Sequence, residues 1–224
     1  MIQLIAFLGN YGSEYSETRH NAAWLFEEQL PFCSKLSFSN KYKSDFFAAD
    51  YEQVVRWLVE AGLAKERGDG SLPVPDCAPK KLYFMKPLTY MNLSGDAVRE
   101  AASFFKIPPS DVLVVHDEIE LPLGTLSFKW SGGLGGHNGL RSIKATLGTA
   151  DFFRLRFGVG KPANVNIADY VLGKFSSDER IALSLVFGEA CKLFSKIIFS
   201  KEPKDLVQGW SKKKITDPPL LRGF

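Results

Sequence analysis

The chain predicts an α/β fold with a largely buried sheet. Three observations carry this. Short apolar runs end in polar segments, Ile2–Leu8 at Gly9-Asn10 and Val112–Val115 at His116-Asp117-Glu118. Stretches with apolar residues at helical spacing lie between those runs. Across the 224 residues there is no internal repeat and no linker that separates two domains.

The elements follow in order. Ile2 to Leu8 reads as a buried strand closed by Gly9-Asn10. Ala22, Ala23, Leu25, Phe26 and Leu30 have helical spacing, with Asn21 or Thr18 as the cap and His20 at the helix start. Ser44–Ala49 and Leu82–Lys86 read as strands, and Val54, Val55, Leu58 and Ala61 as a helix between them. The run from Glu66 to Pro79 holds Gly68, Gly70, Pro73, Pro75 and Pro79 and reads as an exposed insertion. Val98, Ala101, Ala102 and Phe105 repeat with helical period and stop before Pro108-Pro109. Val112–Val115 then delivers His116-Asp117-Glu118 at its carboxyl end. Leu126, Phe128 and Trp130 alternate with Thr125, Ser127 and Lys129, giving a strand with one apolar and one polar face. Leu140, Ile143, Lys144 and Leu147 form a helix after a glycine-rich turn, and Arg154–Phe157 alternates as a strand. Ser176-Ser177-Asp178-Glu179 fits a capping box, opening a long helix to about Phe199.

Composition sets outer bounds. Hydrophobic residues are 45% and charged residues 24%, with 18 Phe, which supports a sizeable core and argues against disorder. No apolar run is long enough to span a membrane. The opening residues lack a basic region and a small-residue cleavage site, so they do not read as a signal peptide. Three cysteines, Cys33, Cys77 and Cys191, form no C-x-x-C pair. Neither a zinc ribbon nor a disulfide framework is indicated, and the reading is cytoplasmic. Net charge is +3, but residues 196–224 carry seven basic and three acidic residues, so the tail is +4 and the remainder −1. Lys212–Lys214 reads as a solvated tail, with a polyanion partner as the sharper alternative.

Polar residues gather just beyond the predicted strand ends, where open α/β sheets hold their sites. The clusters are residues 8–15 with 18–21, 86–95, 116–122 and 132–139. The glycine run is not a Walker loop, since no Gly-Lys-Ser/Thr closes it, and Asn138 stands where a dinucleotide fingerprint needs glycine. There is no G-x-S-x-G elbow and no H-E-x-x-H pair, which argues against that serine-hydrolase class and against a helical zinc site. A histidine is the natural general base near neutral pH and needs a carboxylate to fix its tautomer. His20 follows one strand and Asp117 ends another, so the two meet if those strands are neighbours. Taken singly, each also fits a blander role: a packed histidine, a capping aspartate, or turn chemistry for Asn10, Asn92 and Asn138.

At these four clusters the sequence resembles the bacterial peptidyl-tRNA hydrolase family. The family's Gly-Asn-Pro-Gly-x-x-Tyr and Thr-Arg-His-Asn stand here as Gly9-Asn10-Tyr11-Gly12-Ser13-Glu14-Tyr15 and Thr18-Arg19-His20-Asn21. Further blocks match at Lys86-Pro87, Thr89-Tyr90-Met91-Asn92 and Ser94-Gly95, and at His116-Asp117-Glu118 with Leu121-Pro122 and Gly124. The Gly-Gly-x-Gly-Gly-His-Asn-Gly run matches too, followed by Leu140–Ile143, Arg154–Arg156 and Asp169–Leu172 before Phe175. The resemblance covers most of residues 1–195.

It implies one compact domain over 1–224 with a twisted mixed sheet flanked by helices, cleaving the ester between a peptide and the terminal ribose of tRNA. On that analogy His20 activates water and Asp117 holds and charges it. Asn10 and Asn92 hydrogen-bond the substrate near the scissile bond, one of them serving the oxyanion. Asn138 positions substrate or water, and Tyr15 and Tyr90 line the tRNA 3′-end site by stacking. Lys129 and Arg156 match phosphate-contacting basic residues, and Arg141, Lys144 and Lys161 add to that patch. No cofactor or metal is implied, and the expectation is a monomer without an obligate protein partner. Two rival readings are an RNA-binding protein without turnover, which would lack His20 or Asp117, and a small-ester hydrolase, which leaves the basic tail unexplained. Departures are Tyr11 in place of proline, which removes a restraint from the loop presenting Asn10, extra length near 52–79, and a tail poorly matched after about Gly209.

Overall fold

The computed structural model describes residues 1–162 and 165–217. Arg222 of the basic tail lies outside them. Eight strands form one mixed sheet: β1 (Leu4–Phe7), β2 (Ser39–Lys41), β3 (Ser44–Asp50), β4 (Lys81–Pro87), β5 (Val112–Glu118), β6 (Thr125–Trp130), β7 (Phe153–Gly158) and β8 (Lys213–Lys214), in the order β2-β3-β4-β1-β5-β7-β6-β8. The central strands β4, β1, β5 and β7 run parallel, and the outer pairings are antiparallel.

Alternation along the parallel strands feeds two cores. Ile5, Phe7, Leu113 and Val115 face one side. Packed there are α1 (Ala22–Glu27), α2 (Tyr51–Glu60) and the long α6 (Ser177–Phe199), through Phe26, Val54, Leu58, Phe187 and Phe194. Leu4, Ala6, Leu8, Val112 and Val114 face the other side. There α3 (Ser94–Phe104) and α4 (Asn138–Leu147) supply Val98, Ala101, Leu140 and Ile143. A short α5 (Ile167–Val171) precedes α6. The Ser176 capping box forms as read, with Glu179 N–H on Ser176 Oγ at 3.3 Å and Ser176 N–H on the Glu179 carboxylate at 2.7 Å.

Four local readings change. Neither Thr18 nor Asn21 caps α1 through its side chain, because Thr18 Oγ1 donates to Tyr15 and Asn21 is engaged with Asn10. Part of the 66–79 run packs on the core rather than lying exposed: Leu72, Val74 and Ala78 pack against the cluster that holds Val54, Val55 and Leu58, while Glu66–Gly70 are exposed. The polar face of β6 is covered: Thr125 and Ser127 are buried, and Ser127 Oγ donates to the Ser211 carbonyl of the tail. The tail itself is seated, since Lys213 and Lys214 pair with Leu126 and Thr125, while Lys212–Lys214 keep their side chains exposed.

Candidate active site

The topology explains why the polar clusters converge. β1 and β5 are parallel neighbours, with Phe7 opposite Val115, so their carboxyl ends share one crevice. A 3-10 turn at Arg19–Asn21 folds His20 back toward the end of β5. His20 Nδ1 lies 2.8 Å from Asp117 Oδ1, and both side chains are buried. An Nδ1–H donated to the carboxylate leaves the Nε2 lone pair as the available base.

Asp117 receives a second imidazole. His137 Nε2 lies 3.1 Å from the same oxygen. The Gly139 and Leu140 N–H groups donate to His137 Nδ1 at 3.1 and 3.4 Å, so His137 is the side-chain N-cap of α4. With its Nδ1 lone pair so used, its proton sits on Nε2 and points at Asp117. The third histidine, His116, holds the Asp117 carbonyl through Nδ1 at 2.5 Å. All three histidines of the chain therefore gather on one aspartate.

The electrostatics follow. Burial works against a charged His20, but the Asp117 charge and hydrogen bond outweigh it and raise its pKa. Burial also opposes ionisation of Asp117, yet His20 and His137 together hold it well below the usual carboxylate range. Burial first, and then His137, push His116 well below an ordinary imidazole. His20, Asp117 and His137 are also the described residues whose potential metal-ligand atoms lie within 4.8 Å of one another. Binding a cation at His137 Nε2 would require removing the proton that the helix cap places there, so the set fits a hydrogen-bonded relay better than a chelate.

A cavity of about 200 Å³ opens over the pair, lined by His20, Asp117, Glu118, His137, Asn138 and Ile167, among others. Asn138 is exposed at the first residue of α4. Asn10 is buried and firmly held: its N–H donates to Asn21 Oδ1 at 2.8 Å, its carbonyl accepts from Asn21 Nδ2 at 2.9 Å, and its Oδ1 accepts from Met91 N–H at 3.1 Å. These bonds hold the loop even though Tyr11 replaces proline. They also leave Asn10 offering its Nδ2 donor rather than its carbonyl. Tyr15 is half-buried in the 3-10 turn Ser13–Tyr15. Tyr90 and Asn92 are exposed around the 3-10 turn Met91–Leu93, outside the lining of this cavity.

The basic residues divide. Arg156 is buried, with Nη1 3.3 Å from Glu118 Oε2 and Nη2 2.7 Å from Ser127 Oγ. It is not the solvent-facing cation that strand alternation predicts, because the tail lies over that face. Lys129 has no ion-pair partner among the described residues, and burial together with Arg156 and Arg154 lowers its pKa. Both line a second cavity of about 540 Å³, shared with Glu118, Trp130 and Lys212. Arg154, fully buried, donates to the Gly133 and Gly132 carbonyls at 2.7 and 2.8 Å and so fixes the glycine-rich loop. Arg141 and Lys144 are exposed on α4, and Lys161 pairs with Glu120 at 2.8 Å. Reading the sequence misses Asn21 and Arg154 as site-building residues and meets His137 only as part of the matching glycine-rich run. The one available signal is that His137 sits at the cap position between the glycine run and a helix.

Known proteins are similar to this chain over nearly its whole length. A family model described as peptidyl-tRNA hydrolase matches residues 4–217. A protein named peptidyl-tRNA hydrolase from Treponema pallidum is 41% identical, with 96% of each chain covered. One of the same name from Neisseria gonorrhoeae is 40% identical over 89% of this chain and 92% of its own. The solved structure of peptidyl-tRNA hydrolase from Acinetobacter baumannii superposes with a TM-score of 0.73 at 30% identity, covering 92% of this chain and 93% of that one. Family model, sequence and overall fold agree along nearly the whole chain, and it belongs to the peptidyl-tRNA hydrolase family.

Proposed function

We propose that the chain hydrolyses the ester joining a peptide, or an N-acylated amino acid, to the terminal ribose of tRNA, releasing the tRNA for reuse in translation. The observation that carries this reading is the buried His20–Asp117 pair, 2.8 Å apart at the edge of an open cavity. His20 Nε2 takes a proton from water, whose oxygen attacks the ester carbonyl. Asp117 keeps the imidazole in the required tautomer and stabilises its charged form. The Asn10 Nδ2 donates to the oxyanion of the tetrahedral intermediate. Collapse expels the ribose oxygen, which receives the proton from His20.

Asn138, Tyr15, Tyr90 and Asn92 contact the substrate around the ester. Lys129 supplies a free positive charge for a tRNA phosphate, on a floor that Arg156 builds with Glu118. We read the protein as a monomer of the cytoplasm. In support, its three cysteines are free, and no helix of the described residues is long and apolar enough to cross a membrane. Sedimentation or light scattering tests the monomer. The direct functional test is turnover of N-acetyl-aminoacyl-tRNA against free aminoacyl-tRNA by purified protein. Release of tRNA from the blocked substrate is the expected result, and absence of turnover by folded protein refutes the reading.

A further inference from the structure

The sheet order gives the catalytic crevice two unlike flanks. Asp117 sits at the carboxyl end of β5, and His20 meets it from the 3-10 turn that follows β1. On the β7–β6 side lie Arg156, Lys129 and, beside them, Lys212. On the β1–β4 side stand three exposed apolar side chains: Tyr11 at 54%, Tyr90 at 62% and Leu93 at 46% exposure. Nearby cations on that side are already paired, Lys86 with Glu27 and Lys43 with Asp96. The aromatic flank is also rigidly mounted. The Met91 N–H bond to Asn10 Oδ1 ties the two loops, and the residue after Asn10 and the residue before Met91 are the two exposed tyrosines.

An acylated tRNA has one polyanionic half and one largely uncharged half, joined at the ester. With the ester on His20 and the phosphates on the cationic flank, the β1–β4 side is an apolar surface open to the acyl half. We propose that Tyr11, with Tyr90 and Leu93, forms a subsite for the side chain of the esterified residue, with Tyr11 as the specificity-determining member favouring apolar and aromatic side chains. This rests on the hydrolase reading. It places Tyr90 against the acyl group rather than the terminal adenosine. A proline at position 11 offers no ring face of this kind, so the selectivity is particular to a chain with an aromatic residue there.

The test uses adenosine esters of N-acetyl-phenylalanine and N-acetyl-glycine, together with their uncleavable amide-linked analogues. Wild type is expected to favour the phenylalanyl ester in kcat/KM, and its amide in binding, by roughly 3- to 10-fold, the range of one aromatic contact. Tyr11→Ala and Tyr11→Pro should erase that ratio, and Tyr11→Phe should keep it. Equal losses on both substrates, which a propping role or adenosine stacking produces, overturn the proposal, as does an unchanged ratio. The amide arm separates the two readings. Discrimination in binding without turnover of either ester sinks the hydrolase reading alone, while turnover without discrimination sinks the subsite alone.

Discussion

At the scale of single residues, the charge on Asp117 governs how His20 titrates. The folded pKa of His20 is raised, and catalysis needs the neutral imidazole, so activity should fall as pH drops through that raised value. Stability has the opposite sign. The ion pair with Asp117 stabilises the fold fully below the ordinary histidine pKa and is lost as pH rises through the folded one. In Asp117→Asn the opposing charge is gone while burial remains, so a pH–rate profile should show a much lower plateau and an acid limb moved to lower pH. His20→Ala should lower kcat by roughly 10²–10⁴ while tRNA binding is retained. His137→Ala removes both the α4 cap and the second donor to Asp117. Urea denaturation should show a loss of about 1 kcal/mol from the cap, and turnover should fall with it. Arg156 and Lys129, equivalent by strand pattern, should behave differently. Arg156→Ala strands Glu118 as a buried carboxylate and should cost roughly 3 kcal/mol of stability, whereas Lys129→Ala should leave the denaturation midpoint nearly unmoved.

At the scale of elements, one glycine sets how closely two helices approach. A Cβ on Gly95 would overlap the Ser142 carbonyl, and the same contact carries the Gly95 N–H on Ser142 Oγ and the Thr146 hydroxyl on the Gly95 carbonyl, each at 2.9 Å. Gly95→Ala should therefore force α3 and α4 apart and lower stability by about 1–3 kcal/mol, measurable as a drop in Tm. Because α4 begins with His137 and Asn138, activity should decline beyond what unfolding accounts for. The same scale shows what the sequence made legible. β1, β4 and β5 are buried on both faces, so their apolar runs announce them, whereas β7 is announced by alternation although its Arg154 and Arg156 are buried. β2 and β8 are short polar segments, Ser39–Lys41 and Lys213–Lys214, which are strands only because a partner edge is there to receive them. His20 and Asp117 were readable because both follow parallel strands. Asn21 was not, because its side chain serves a loop 11 residues earlier instead of the helix it begins. The burial of Arg156 is not readable, because alternation reports which face a side chain takes, not whether a distant tail covers that face.

At the scale of the whole molecule, the division between cationic and aromatic flanks separates holding tRNA from cleaving its ester. Lys129→Ala should raise KM for the full substrate with kcat little changed. It should flatten the plot of log affinity against log salt by one contact, about 0.7–0.9 in slope, and leave a short acylated adenosine cleaved as by wild type. Dialysis against a chelator should leave cleavage of that short ester unchanged, since the His137 tautomer is set by hydrogen bonds. The gathering of every imidazole on one aspartate also has a spectroscopic consequence. Histidine is the side chain whose unperturbed titration falls between pH 5 and 8, and this chain has three, all within one hydrogen-bonded cluster. The imidazole signals in an NMR spectrum of the protein thus include no bystander histidine. The Hδ2 and Hε1 signals of His20 and His137 report from the crevice lining and those of His116 from directly beneath it, so a fragment screen could read occupancy from shifts in a region most proteins crowd with surface histidines.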